Sequence, residues 1–408
     1  MPAFDDDAVS ERAPSAGAAR GAASALGLAG LLDEDPHRWR AALDDTYRVL
    51  DDVLAGRRPA IVYPAARMGR RAAAGLTALG ATVVAFGDRD AALQGGGVDG
   101  LPVLSPAEIG DRHRKDAILV ASTMFDSTIC EDLRARGCEA VVPVGYLNLR
   151  LPDVFEAREY HGAGESASDP RNRADIERLH ALLADDESRR VFVGRLAFSL
   201  SLDKAHLDAI RTPAAIYFDP SVYELGPDHV VVDGGAYVGD TLESFLACSS
   251  RRFRSYFAFE PDAMNYAKLT ALAASDPTRI TTVRAGLARE TGTARFAGTA
   301  GADSRVLGQA EPGGESVPMV SLDDYFERRP LPSLIKMDIE GAEADALRGA
   351  ARILGDAAPV LAVSAYHVPS DLWSIPLLIE RLMSHCRLYL RHYSREVDDT
   401  VCYAIPGR

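Results

Sequence analysis

The stretch VVDGGAYVGDTLESFL, residues 231–246, constrains the fold of this chain most strongly. An apolar run stops at Asp233, three glycines follow within seven residues, and a helical pattern begins directly afterwards. Because they lack a Cβ atom, Gly235 and Gly239 let the backbone approach a ligand closely, and amides at a helix start attract anionic groups. The stretch therefore predicts a strand–turn–helix unit that binds a nucleotide-like ligand, although NAD-binding Rossmann domains share such a turn.

Short apolar runs with strand character fall into two groups, and helical patterns separate most runs within each group. This alternation predicts two parallel, doubly wound sheets. Only REVDD separates the last two runs, so the final strand should be antiparallel. The predicted strands are 59–65, 82–90, 117–123 and 140–144 in the first group, where 101–109 adds a strand edge and a helix start, and 229–235, 255–261, 280–288, 333–341, 359–367, 386–394 and 399–406 in the second.

The length of 408 residues suits two domains, and the positions of the runs divide the chain into four parts. We predict a flexible tail over 1–36, a smaller Rossmann-like α/β domain over 37–150 and a helical connector over 151–212. An α/β domain with a seven-stranded sheet should follow over 213–408.

Charge and composition narrow the class of protein and its partners. A net charge of −14 argues against a nucleic-acid partner, because phosphate binding needs a basic face. The five cysteines show no zinc spacing, and no apolar run approaches the roughly 20 residues of a membrane span. The N-terminus shows no signal-peptide pattern, so we predict a cytoplasmic protein without a membrane partner.

Acidic residues follow two further predicted strands. Glu260 comes directly after the apolar run YFAF, where a carboxylate can accept both hydroxyls of a ribose; helix capping is the alternative role. In KMDIEGAE (336–343), three carboxylates crowd into six positions, which a surface helix start also favours. However, Lys336 and Asp338 lie on or beside an apolar strand, where a charge is costly unless it is paired or used.

With these motifs, residues from about 213 to 408 resemble the FkbM family of methyltransferases that depend on S-adenosyl-L-methionine. The resemblance implies a class I methyltransferase fold, which is Rossmann-like and has a seven-stranded sheet with an antiparallel last strand. It also implies an O-methyltransferase acting on a hydroxyl of a sugar or sugar-containing small molecule, in polysaccharide or natural-product biosynthesis. Many members have Asn-Ile where this chain has Tyr237-Val238. The similar segments are VVDGGAYVGDT, FAFEPD, VSLDDY, IKMDIEGAE, SAYH, LRHYS and DTVCYAIP.

The resemblance also implies where S-adenosyl-L-methionine binds. The glycine turn should contact the methionine part, Glu260 the ribose, and the end of the third strand the adenine. The predicted cofactor-binding residues are Asp233, Gly235, Tyr237, Gly239, Glu260, Pro261, Ala285, Gly286 and Asp338.

The predicted catalytic residues are Asp338, His367 and Glu340. We expect Asp338 or His367 to receive or orient the acceptor proton, since a neutral His is a good base near pH 7, with Glu340 as a supporting carboxylate. For His367, and more so for His392, a core-edge role is the alternative. Asp338, Glu340 and His367 are also suitable ligands for Mg²⁺ or Ca²⁺. Spacing alone establishes no site, so no metal is predicted.

Two other functions are alternatives to a methyltransferase. One is a nicotinamide-dependent oxidoreductase or epimerase of sugar nucleotides, which the terminal hairpin and the 333–343 motif disfavour. The other is a non-catalytic nucleotide-binding protein, which the intact glycine turn and Glu260 disfavour. In the first domain, Arg67, Arg70, Arg71 and Asp88 could hold a diphosphate, or the arginines could form a solvated basic face.

Overall fold

The computed structural model describes residues 27–160, 162–297, 305–306 and 314–407. Most of the predicted flexible tail, residues 1–26, lies outside the described residues, and helix α1 (Leu28–Asp33) is the first element.

The chain forms two compact units that are not consecutive in sequence. The first contains the chain up to Ser122 together with Thr128–Phe155 and Leu200–Asp203. The second contains Thr123–Ser127, Glu156–Ser199 and Lys204–Arg408. The predicted domain limits near residues 150 and 212 stay predictions.

The first unit is built on a six-stranded sheet in the order β3-β4-β2-β1-β5-β6. The pairs are parallel except β3 with β4, and every residue of β1 and β5 is buried, as expected for central strands covered on both faces. The predicted α/β domain is therefore present. Its strands are β1 (Ala60–Tyr63), β2 (Val83–Gly87), β3 (Gly97–Val98), β4 (Leu101–Leu104), β5 (Ala117–Val120) and β6 (Ala140–Val142). The helices between residues 36 and 150 are α2 (Pro36–Thr46), α3 (Val49–Leu54), α4 (Arg67–Ala78), α5 (Pro106–Arg112), α6 (Asp126–Ala135) and α7 (Val144–Arg150).

Four helices occupy the segment between the two α/β parts: α8 (Ala163–Ser168), α9 (Arg173–Leu182), α10 (Asp186–Ser201) and α11 (Ala205–Ile210). Most of this segment belongs to the second unit. Among the described helices of the chain, none combines the length and the apolar character that crossing a bilayer requires.

The second unit is built on a seven-stranded sheet in the order β16-β17-β15-β14-β7-β8-β9. The last strand, β17, is antiparallel to both of its neighbours and the other pairs are parallel, which confirms the predicted arrangement. The strands are β7 (Val230–Gly234), β8 (Ser255–Phe259), β9 (Ile280–Val283), β14 (Leu334–Met337), β15 (Val360–Ser364), β16 (Cys386–His392) and β17 (Thr400–Pro406). The accompanying helices are α12 (Asp240–Cys248), α13 (Ala263–Ala273), α14 (Leu322–Tyr325), α15 (Glu343–Arg348), α16 (Ala351–Asp356) and α17 (Asp371–Leu382).

The sequence patterns did not predict a second, four-stranded sheet between β9 and β14. It comprises β10 (Gly286–Leu287), β11 (Gly292–Ala297), β12 (Arg305–Val306) and β13 (Glu315–Val320), in the order β10-β13-β11-β12. The predicted strand 280–288 is therefore two strands. A tight turn, in which the amide of Ala285 donates to the carbonyl of Val283 at 2.9 Å, ends β9, and β10 pairs with β13 instead.

A buried arginine holds the helical segment against the second sheet. Arg391 on β16 is 1% exposed, and its Nη2 lies 2.7 Å from Oδ2 of Asp185, the residue before α10. Arg391 Nη1 also donates to the Ser188 hydroxyl at 2.9 Å. Removing one partner of such a pair leaves an uncompensated buried charge, which is costly.

We predict that Asp185→Ala lowers the free energy of unfolding by about 2–3 kcal/mol, below the cost for a fully buried pair because Asp185 is partly exposed. Denaturant unfolding measures the change. The matched control is Asp186→Ala, which removes a fully exposed carboxylate from the next position and should cost less than about 0.5 kcal/mol. Equal effects of the two substitutions would show that the Arg391 pair does not stabilise the unit.

Candidate active site

A cavity of about 450 Å³ opens within the second unit at the carboxyl ends of β7, β8 and β14. Its volume lies within the roughly 300–1,000 Å³ typical of ligand pockets, and its place is where open α/β sheets bind ligands. Nine of the eleven predicted site residues line it: Gly235, Tyr237, Glu260, Pro261, Ala285, Gly286, Asp338, Glu340 and His367.

The glycine turn is held tightly against the end of β14. Gly235 has a φ of +73°, and a Cβ atom there would lie 1.8 Å from the carbonyl oxygen of Asp338. Glycine is therefore required, both for its backbone conformation and for the space. The following Tyr237 also has a positive φ, +46°, and its side chain is half-exposed at the cavity.

Glu260 fixes the glycine turn from the neighbouring strand. Its Oε2 accepts a hydrogen bond from the Tyr237 amide at 2.9 Å, and its Oε1 accepts one from the Asp262 amide at 2.9 Å. Burial raises the pKa of Glu260 to about 7, against these backbone hydrogen bonds and the charge of Lys336, which lower it. Because each carboxylate oxygen has further lone pairs, Glu260 can still accept ligand hydroxyls.

Two predicted cofactor-binding residues lie behind the cavity wall. Asp233 is fully buried; its Oδ1 lies 3.0 Å from Nζ of Lys336, and its Oδ2 accepts a hydrogen bond from the Tyr256 hydroxyl at 2.7 Å. Gly239 has a φ of +100° and faces Leu272, whose side chain a Cβ atom would approach to 2.5 Å. Asp233 and Gly239 therefore help to shape the glycine turn.

Small and apolar residues form the wall opposite the glycine turn. Ala285, Gly286 and Leu287 follow β9, and Met319 of β13 packs so closely that a Cβ atom at Gly286 would lie 2.8 Å from its sulfur. Such a wall can accept a flat ring without hydrogen-bonding demands, which suits an adenine.

Asp338, the first residue after β14, accepts hydrogen bonds from two tyrosines. Tyr217 donates to its Oδ2 at 2.8 Å and Tyr366 to its Oδ1 at 3.1 Å. Burial alone would raise the pKa of Asp338, but the neighbouring His367 and the charge of Lys336 outweigh burial and hold it well below its usual range. Asp338 is therefore a fixed negative charge.

His367 lies between carboxylates on both sides of its ring. Nε2 is 3.3 Å from Asp338 Oδ1 and 3.9 Å from Glu340 Oε2, whereas Nδ1 is 3.1 Å from Oε1 of the fully buried Glu343. Burial lowers the pKa of His367, but Glu343 and then Asp338 raise it well above its usual value. Without a ligand, the ring is therefore an imidazolium.

Glu340 differs from Asp338 in environment. Its backbone has a φ of +58°, and its side chain is 39% exposed at the cavity. Burial raises its pKa to about 8; His367 lowers the pKa, and Asp338 and Glu343 raise it. The two carboxyl groups that border His367 thus differ in proton affinity.

Other candidate residues from the sequence lie outside this cavity. His392 is fully buried and its Nδ1 lies 2.9 Å from the Thr400 hydroxyl, so it is part of the core. In the first unit, Arg70 forms two 2.7 Å hydrogen bonds with Asp99, and Asp88 accepts hydrogen bonds from the amides of Ala65 and Asp90. A diphosphate bound by Arg70 would have to replace Asp99.

Sequence reasoning missed two polar residues of the site as functional candidates. Tyr217 and Tyr366 line the cavity, whereas Glu343, one of the crowded carboxylates in 336–343, lies beside His367. Tyr366 neighbours His367 in the chain, which was the one local signal. Tyr217 lies 121 residues before Asp338, so only the fold reveals their contact.

Comparison with known proteins indicates which class of protein this fold and cavity belong to. A family model described as the methyltransferase FkbM domain matches residues 233–396. The crystal structure of methyltransferase FkbM from Methylobacillus flagellatus KT matches with a TM-score of 0.65 at 22% identity, covering 91% of this chain and 100% of that chain. That likeness establishes the fold. No curated protein sequence matches the chain significantly.

Two further solved structures are less similar. An rRNA methylase from Streptococcus thermophilus matches with a TM-score of 0.30 at 14% identity, over 45% of this chain and 90% of that chain. A SAM-dependent methyltransferase from Aquifex aeolicus matches with a TM-score of 0.27 at 12% identity, over 50% and 97%. Likeness at this level supports no inference about an acceptor.

The seven-stranded sheet with its antiparallel last strand and the matched domain define an S-adenosylmethionine-dependent methyltransferase. Residues 233–396 are an FkbM methyltransferase domain, as the sequence motifs predicted.

We predict that Glu260 makes the binding of S-adenosylhomocysteine dependent on pH. With a pKa of about 7, its carboxylate is ionised and accepts ribose hydroxyls at pH 8, and it is mostly protonated at pH 6. The affinity measured by calorimetry should therefore fall roughly ten-fold from pH 8 to pH 6. Glu260→Gln, which is neutral throughout, is the control and should bind weakly with a flat profile. A wild-type profile as flat as that of the variant would remove Glu260 from the ribose site.

Proposed function

We propose that this methyltransferase transfers a methyl group to a hydroxyl of a sugar or sugar-containing small molecule, in polysaccharide or natural-product biosynthesis. The observation that carries the proposal is the group formed by Asp338, Glu340 and His367, which shares one cavity with the glycine turn and Glu260. The cavity thus has room for a cofactor at one end and polar groups for an acceptor at the other.

The polar end of the cavity favours an acceptor that is rich in hydroxyls. Besides Asp338 and Glu340, it carries Asp398 and Asp399, and two tyrosine rings lie beside them. Carboxylates accept hydrogen bonds from alcohols, and aromatic rings cover the apolar faces of a sugar. Several neighbouring hydroxyls could be held together in this way.

The charge of the cavity disfavours acceptors that carry phosphate. Among the described residues that line it, seven are Asp or Glu, and Lys336 is the only Lys or Arg. Phosphate recognition depends on basic side chains, so nucleic acid is a poor fit. The predicted lack of a nucleic-acid partner and the cytoplasmic location stay predictions.

The residues at the other end fit S-adenosylmethionine. Gly235 lets the backbone approach the ligand, Glu260 offers lone pairs to the ribose, and the wall of Ala285 and Gly286 accepts the adenine. When bound, S-adenosylmethionine supplies a methyl group on a sulfonium, which is already a good leaving group.

The chain's own task is to align the acceptor oxygen and to manage its proton. Tyr217 and Tyr366 fix both oxygens of Asp338, so that its charge is held in one place. An acceptor hydroxyl that donates to Asp338 would therefore have a defined orientation. Glu340, which is exposed at the cavity, and His367 border the same position.

Cofactor identity is tested by thermal unfolding of the full chain with S-adenosylhomocysteine, NAD⁺ or a UDP-sugar. We expect S-adenosylhomocysteine to raise Tm and NAD⁺ to leave it unchanged, because only a ligand that binds the folded state stabilises it. A rise with NAD⁺ alone would support the oxidoreductase alternative and refute the proposal.

Asp338→Asn tests the acceptor end, because it keeps the shape and removes the charge. Release of S-adenosylhomocysteine with a panel of sugar acceptors should fall by roughly two to four powers of ten, the usual contribution of a proton-handling group. The affinity for S-adenosylhomocysteine should change little. The control is Glu327→Gln, an exposed carboxylate on the surface, which should turn over normally. Normal turnover in Asp338→Asn would exclude Asp338 from catalysis.

A further inference from the structure

A buried histidine nitrogen faces the acidic end of the cavity. His367 is 4% exposed and lines the cavity, and among the described residues neither ring nitrogen has a hydrogen-bond partner, although carboxylates lie near both. Carboxylate oxygens of Asp338 and Glu340 lie near Nε2 on this side. We infer that Asp338, Glu340 and His367 bind one divalent cation of the Mg²⁺ or Mn²⁺ class.

The second nitrogen of the ring also lies beside a carboxylate. Nδ1 lies 3.1 Å from Oε1 of Glu343, and the same oxygen accepts a hydrogen bond from the Ile339 amide at 2.8 Å. A carboxylate on one ring nitrogen fixes the proton there and leaves the lone pair of the other nitrogen for a metal. Glu343 thus positions His367 without itself facing the cavity.

The distances around Nε2 fit a single ion. Two ligands at about 2.1 Å from an octahedral cation are about 3.0 Å apart when adjacent and about 4.2 Å apart when opposite. Nε2 lies 3.3 Å from Asp338 Oδ1 and 3.9 Å from Glu340 Oε2. The first separation is near that of adjacent ligands and the second is near that of opposite ligands, so a bound ion would require small shifts of these side chains.

The group is rich in acidic ligand atoms. Asp338, Glu343 and His367 place ligand atoms within 4.8 Å of one another, Glu340 adds a carboxyl group 3.9 Å from the imidazole, and Asp398 and Asp399 line the same cavity. Oε2 of Glu343 is also buried without a hydrogen-bond partner within the described part of the chain. Carboxylate oxygens with one imidazole nitrogen are ligands that Mg²⁺ and Mn²⁺ accept.

The inference deepens the proposed function and rests on it for the role of the ion. A cation held by three side chains keeps open positions, to which two neighbouring hydroxyls of a sugar can coordinate. Such coordination would select acceptors with vicinal hydroxyls and would orient the oxygen that is methylated.

The experiment measures Mn²⁺ binding to the full chain without cofactor or acceptor. The chain is first treated with a chelator and dialysed, and Mn²⁺ is then titrated while the free ion is followed by electron paramagnetic resonance. We expect one Mn²⁺ per chain, displaced by excess Mg²⁺. Failure of the wild-type chain to bind a stoichiometric Mn²⁺ overturns the inference.

Variants assign the site to its residues. Glu340→Gln, at an exposed side chain that should not affect folding, and Asp338→Asn should each weaken Mn²⁺ binding at least ten-fold. Glu343→Gln should weaken it by roughly ten- to a hundred-fold, as expected for a residue that positions a metal ligand. The matched control is Asp240→Asn, an acidic residue of the same cavity beside the glycine turn, which should bind as the wild type does. Equal losses in all four variants would mean general attraction to a negative cavity and would refute the site.

Binding of S-adenosylhomocysteine in the presence of chelator separates this inference from the proposed function. If the cofactor product binds and Mn²⁺ does not, the metal site is refuted and the methyltransferase assignment stands. If Mn²⁺ binds and the cofactor product does not, the proposed function fails and the metal site stands.

Discussion

The ion pair between Lys336 and Asp233 is the interaction on which the site depends. The two residues are register partners on the adjacent strands β14 and β7, and Nζ lies 3.0 Å from Oδ1, with both side chains buried. Nζ also donates to the carbonyls of Gly234 at 3.1 Å and Gly235 at 2.8 Å. A charge so deeply buried is tolerated because it is paired and hydrogen-bonded, and its hydrogen bonds fix the path of the glycine turn. Burial would lower the pKa of Lys336, but the charges of Asp233 and Asp338 outweigh burial and raise it.

Four of the ten described non-glycine residues with a positive φ line the cavity, and Asp399 is one of them. Tyr217, Tyr237 and Glu340 all have positive φ angles, at +68°, +46° and +58°, and all three line the cavity. For residues other than glycine, this conformation costs about 1–3 kcal/mol each and persists when the surroundings impose it. The hydrogen bonds from Tyr217 to Asp338 and from the Tyr237 amide to Glu260 supply part of that constraint. These hydrogen bonds hold part of the strained backbone in place without a ligand.

The sequence was informative wherever function leaves a local pattern. The apolar runs predicted all seven strands of the second sheet, and the strand–acid pattern placed Glu260 and Asp338 at one edge of it. Asp233 shows the limit of such reasoning: the same pattern suggested ligand contact, whereas its partner on the adjacent strand, 103 positions later in the chain, draws it into the core. The four-stranded sheet was missed because strand pairing between distant short segments leaves no periodic signal of its own.

The two units are not consecutive in the chain, and this limits how the protein could have been assembled by recombination. Thr123–Ser127 belong to the second unit, although the residues on both sides of them in the chain belong to the first. This short excursion is anchored by Glu396, which accepts a hydrogen bond from the Ser127 amide at 2.9 Å, and it contributes Thr123 and Met124 to the cavity lining. A gene fusion at a single junction would leave the methyl-transferring half without that piece of its wall. Exchange of the N-terminal half between relatives is therefore expected to succeed only when the excursion and Glu396 change together.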